Sequence, residues 1–124
     1  MELMVANSGG GRVSTEYKWE QTLSVSPDLL RNLEDFISHP STRQQDIFAE
    51  QNFPVDSHHH LHWLIKHDLF EGVVLHLTLL DTEAYQFLAG YELALAKPED
   101  ALGDFEVSWQ GDKYRLHVVP VKPS

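Results

Sequence analysis

A chain of 124 residues with 9 basic and 19 acidic side chains, net charge −10 with its histidines neutral, is sized for one domain and is acidic in both halves. That balance leaves no clustered Lys/Arg face for a nucleic-acid backbone or an anionic membrane surface, and the absence of cysteine excludes a disulfide framework, a thiolate zinc site and cysteine catalysis. No apolar run approaches the ~20 residues of a bilayer span. Met1–Ala6 has neither the basic region nor the apolar length of a secretory signal, so a cytoplasmic location is the expectation.

Residues 1–11, ending in Ser8-Gly9-Gly10-Gly11, read as a flexible leader, with 12–124 as a single α+β domain. Val13, Thr15, Tyr17 and Trp19 alternate with polar residues, which predicts a half-buried strand near Arg12 that continues toward Val25 and lies at a sheet edge. Ser26-Pro27-Asp28 supplies an N-cap, a first-turn proline and a first-turn acid ahead of Leu29, Leu30, Leu33, Phe36 and Ile37 at helical spacing. That helix is expected to stop at His39, before Pro40. Ser41 with Gln44 has the form of a capping box for a second helix reaching Asn52. Asp56-Ser57 and Gly72 bracket a third helix, Ser57 to about Glu71. Its helical wheel carries Leu61, Leu64, Ile65 and Leu69 on one side and His59, Trp63 and Phe70 on the other.

Val73, Leu75, Leu77 and Leu79 alternate with Val74, His76, Thr78 and Leu80, the pattern of a central strand apolar on both faces. Asp81–Ala84 interrupts the run, and Tyr85, Phe87, Ala89, Tyr91, Leu93 and Leu95 resume a period of two, as the return arm of a hairpin does. A tip at Thr82-Glu83 sets Leu80 opposite Tyr85, Thr78 opposite Phe87, His76 opposite Ala89 and Val74 opposite Tyr91. Phe105, Val107 and Trp109 followed by Tyr114, Leu116 and Val118 form a further hairpin. Its turn is expected at Gly111-Asp112, which pairs Trp109 with Tyr114 and Glu106 with His117. The architecture expected is therefore an N-terminal edge strand, three helices and a four-stranded antiparallel meander, with the helices on one face of the twisted sheet.

No phosphate loop, nucleophile elbow or HExxH motif is present. His58 and His62 lie one turn apart on a helix and could share a metal, but no third ligand is defined, so weak binding and no resident cofactor are expected. His76 on an apolar strand, with Phe87, Tyr91, Trp109 and Tyr114, could line a pocket for a small apolar ligand on the sheet. Glu106 facing His117 is the arrangement of an acid–base pair, and more often of a solvated one. The helix with two apolar sides needs either a second internal layer or a partner over His59, Trp63 and Phe70. The sequence thus favours a small acidic non-catalytic interaction domain, a homodimer or a binder of a basic protein. A ligand pocket or metal-assisted enzyme built around His76 is the alternative.

Overall fold

A computed structural model describes residues 17–39 and 47–121. The Ser26 hydroxyl accepts from the Leu29 N–H at 3.0 Å and Pro27 opens the first turn, so helix α1 runs Pro27–Ser38 as the capping residues require. Strand β1, Trp19–Val25, precedes it, and six strands follow it: β2 Ile47–Pro54, β3 His59–Asp68, β4 Gly72–Asp81, β5 Phe87–Ala94, β6 Gly103–Trp109 and β7 Asp112–Pro120. The expected edge strand starts at Trp19, its residues 12–16 lying outside the described ones, as does the 1–11 leader. A 3-10 turn, Pro98–Ala101, joins β5 to β6. The strands form two sheets, β2-β3-β4-β5 wholly antiparallel and β1-β7-β6 with β1 parallel to β7.

This corrects the expected three helices over one four-stranded meander. The segment read as a third helix is β3. Leu61, Trp63, Ile65 and His67 alternate with His60, His62, Leu64 and Lys66, and the first four are the buried set. That alternation satisfies a period of two as fully as the wheel satisfied 3.6. The apparent caps are turn chemistry. The Asp56 carboxylate accepts from the His58 N–H, and the Asp68 carboxylate accepts from the Phe70 and Glu71 N–H groups, tightening the turn into β4. Gly72 takes φ +84° there, a left-handed conformation that favours glycine. The expected second helix fails too: Ile47–Pro54 is β2, and the Ser41–Gln44 capping box lies outside the described residues.

The two hairpins expected to form one meander belong to different sheets. After β5 the Leu95 N–H still reaches the Val73 carbonyl, and the Asp100 carboxylate then accepts from the Ala96 and Lys97 N–H groups. Past this turn the chain enters the other sheet as β6. The inner faces meet through aromatic pairs: Trp19 on Phe53, His59 on Trp109 and Tyr91 on Phe105, with ring centroids 5.2–5.9 Å apart. Leu61, Ile65, Leu75, Leu77, Leu79, Tyr114 and Leu116 fill the space between the sheets with no solvent exposure. Helix α1 joins the same core through Leu33, its one fully buried side chain, with Phe36 against Phe48. Among the described residues no helix is long and apolar enough to cross a membrane.

Candidate functional site

Register decides which side chains share a face, and both expected registers shift. In β4–β5, Leu77 pairs with Tyr91 and His76 with Glu92, while an irregularity after Leu79 lets Leu80 pair with Phe87. The connection closes on Asp81. Its carboxylate accepts from the Glu83 and Ala84 N–H groups, its carbonyl accepts from the Tyr85 N–H, and Tyr85 adopts φ 53°. The expected aromatic face is thereby split. Tyr91 points to the inner side against Phe105, whereas Phe87 and Glu92 share the outer face with His76. In β6–β7 the turn is Gln110-Gly111, both at positive φ, as a two-residue hairpin turn of matching twist requires. Trp109 therefore pairs with Asp112, Val107 with Tyr114, Asp104 with His117 and Glu106 with Arg115.

Of the five residues expected to line a ligand pocket, His76 and Phe87 share the outer face, and Tyr91 adjoins them between Gly90 and Glu92 while its ring turns inward to Phe105. They border an open cleft of about 270 Å³ with Thr78, Gly90 and Glu92 at the β5 edge of the antiparallel sheet. The Phe87 ring lies over Gly90, where an added Cβ would sit 2.9 Å from the ring. Gly90 thus lets the ring cover the strand. His76 Nε2 stands 3.4 Å from a Glu92 carboxylate oxygen. Tyr114 and Trp109 lie elsewhere. Tyr114 is fully buried in the other sheet, where burial pushes its phenol up from the usual value, and Trp109 stacks on His59.

The residues expected at an interface do not share a surface. Trp63 is 3% exposed in the core, His59 is half-buried between the sheets and Phe70 is 91% exposed in the β3–β4 turn. The two-sided helix that grouped them is absent, and with it the reason for placing a partner over Trp63. The expected metal pair separates as well. His58 precedes β3, and His62 lies on its outer face with Nε2 2.9 Å from Glu50. Among the described residues no group of three or more His, Asp or Glu side chains could hold a metal ion.

Two titratable constellations lie outside the β5 edge. Asp56, held below the usual carboxylate range by the His58 N–H and the His59 ring, lies 2.9 Å from His59 Nδ1. This is the orienting half of a nucleophile–base–acid arrangement. Among the described residues no hydroxyl is hydrogen-bonded to His59, so the nucleophilic half is missing. On the outer face of the three-stranded sheet, His117 sits between Asp104, 2.7 Å from Nδ1, and Glu20, 2.9 Å from Nε2. Only the imidazolium donates from both nitrogens, and the hydrogen bonds to Glu20 and then Asp104 raise the His117 pKa. Arg115, bonded to Glu106 at 2.6 Å and to the Tyr17 hydroxyl, extends this network, while its buried Nε has no hydrogen-bond partner among the described residues.

A raised folded-state pKa contributes stability that is present in full below about pH 6.5, the unfolded value, and is lost as pH rises through the folded value. His117→Gln should therefore lower the melting temperature at pH 6 and do so progressively less toward pH 8.5, within about 1 kcal/mol for so exposed a group. A difference between wild type and variant that does not change over this range would mean that the clamp is not charged.

Strand β5 is the second edge of the antiparallel sheet. It ends the four-stranded sheet, so one side of its backbone has no partner strand among the described residues. Its sequence FLAGYELA holds one charge, no proline and no lysine, which are the devices that blunt open edges. Phe87 and Tyr91 on β5 are 62% and 40% exposed, and Tyr85 just before it is 72% exposed. Sequence reasoning saw the exposed aromatics but put them on an enclosed face; Gly90, isolated in a strand pattern, was the available signal of a close approach. Compared with known protein families, curated proteins and solved structures, the chain finds no match.

Proposed function

We propose that this acidic chain is a non-catalytic interaction domain of the cytoplasm, and that its binding element is the open edge of β5, to which a partner adds an extended strand. The single observation that supports this reading is the conjunction on β5 of an unpartnered backbone edge with exposed Phe87 and Tyr91. Main-chain pairing supplies affinity in strand addition, and alternate side chains supply selectivity. Both partners expected from the sequence suit such an edge: a second copy of this chain, or a basic protein drawn to Glu92 and to a net charge of −10.

The small-ligand alternative is less well supported. An open cleft of about 270 Å³ along β5 falls below the roughly 300–1,000 Å³ of sites that enclose a small molecule.

A photo-reactive phenylalanine analogue placed at Phe87, and separately at Thr22 on the other sheet, tests the reading in cells expressing the chain. Protein adducts, whether with a second copy or with another protein, are expected from position 87 alone. Equal adducts from both positions, or none from 87, would remove β5 as the binding element.

A further inference from the structure

We infer that the cleft between the β2–β3 and β4–β5 turns receives a guanidinium group, which pairs with the Asp56 carboxylate and stacks on the Tyr85 ring. This site goes beyond the proposed β5 edge and does not depend on it. The cleft holds about 270 Å³, and its walls include Asn52, Asp56, His59, His60, Thr82 and Tyr85 but, among the described residues, no Lys or Arg. In a chain of net charge −10 such a cleft attracts a cation and repels an anion. It lies below the roughly 300–1,000 Å³ that encloses a whole small molecule, but it can seat a planar head group whose stem leads out to water.

Both walls are held in place by the chain's own hydrogen bonds. Asp56 Oδ1 accepts from the His58 N–H at 2.8 Å and lies 2.9 Å from His59 Nδ1, while Oδ2 stands 3.1 Å from the same ring nitrogen. The His58 N–H, and then the His59 ring, hold this carboxyl below its usual range. It therefore stays ionised, with Oδ2 the less occupied oxygen. The Thr82 N–H donates to the His58 carbonyl at 2.8 Å, which ties the second turn to the first. Between them the His60 and Tyr85 rings meet in a T at 5.7 Å. Tyr85 takes φ 53°, a left-handed conformation that bulky side chains rarely adopt. The fold does not require an aromatic there: Asp81 satisfies the Glu83, Ala84 and Tyr85 N–H groups through bonds that any side chain at 85 would permit. An exposed ring kept in a strained conformation near an ionised carboxylate is the observation that points to a ligand. A guanidinium uses both groups, because it is planar and weakly hydrated, stacks on aromatic faces and donates to carboxylates. An ammonium group pairs with the carboxylate as a point charge and gains less from the ring.

Nuclear magnetic resonance of the full chain at about pH 7.5, above the ordinary imidazole value of about 6.5, tests the site with arginine amide as probe. Titration to about 20 mM should move the amide signals of Asp56, His60 and Tyr85 along saturating curves. Lysine amide should bind about threefold or more weakly, and acetate should move none of these signals. Asp56→Asn keeps an acceptor for the His58 N–H but removes the charge, and should weaken arginine amide about tenfold. Tyr85→Gly should weaken it as much while melting no lower than wild type, because glycine accepts the left-handed backbone. Tyr85→Phe keeps the ring and should bind within about twofold of wild type. Glu99→Gln, which removes an exposed carboxylate elsewhere, should change nothing. A peptide with one arginine flanked by glycines separates the two sources of the group: binding about tenfold tighter than arginine amide assigns the cleft to a polypeptide side chain, and equal binding to a free guanidine. Shifts that do not saturate, lysine amide binding as well as arginine amide, or undiminished binding by Asp56→Asn or Tyr85→Gly would each overturn the inference.

Discussion

Trp63→Ala is expected to destabilise the fold by about 3–5 kcal/mol, the cost of removing a large aromatic side chain from a filled core. Trp63 is 3% exposed, pairs with Gln51 on β2 and Leu77 on β4, and lies on the face of β3 that meets the other sheet. Neighbouring strands held by ladder hydrogen bonds cannot close the resulting cavity, so most of the lost contact is left as void. Its indole N–H has no hydrogen-bond partner among the described residues, and an unmade buried bond has a cost of its own. Trp63→Phe should therefore cost far less than Trp63→Ala. Urea denaturation of the three proteins checks both statements. If Trp63→Ala instead left stability unchanged and dissociated a dimer, Trp63 would be at a surface, and the assignment of β3 to the sheet interior would be wrong.

The second large effect is expected at Leu33. Helix α1 presents one fully buried side chain to the core, with Leu29, Leu30, Phe36 and Ile37 half-buried around it. Leu→Ala at such a site costs about 2–5 kcal/mol, the spread reflecting how far the surroundings collapse. One helix resting on a sheet has some freedom to settle inward. A loss near 3 kcal/mol is expected, or roughly 10 °C in melting temperature for a domain of this size. Asn32→Ala, one residue away and exposed, should shift the melting temperature by no more than a degree or two. Calorimetry of both variants decides the matter. Equal small effects would mean that α1 does not contribute to the core.

These two residues divide what the chain encodes locally from what it does not. Helix α1 was legible from Ser26 to His39 because capping, the first-turn proline and a 3.6-residue apolar period are local and agree with one another. The central place of β4, apolar on both faces, and the strands around Val107 and Leu116 followed from a period of two in the same way. The acidity and the lack of cysteine bounded the chemistry by composition alone.

What lies between Ile47 and Gly72 was decided by tertiary structure. His59–Asp68 carries apolar residues that satisfy both periods, and Asp56 and Gly72 serve a turn as readily as a cap. Only the ladder to β2 on one side and β4 on the other selects the strand. Register was not local either. One irregularity after Leu79 moved Tyr91 to the opposite face from His76, and shifting the second turn to Gln110-Gly111 exchanged Glu106 for Asp104 opposite His117. The candidate site inherits this division. Phe87, Tyr91 and His76 were visible as residue types that bind, but that they border an open edge depends on β5 ending one sheet and β6 starting another. Pairings between residues distant in sequence make that choice, and no window along the chain contains them.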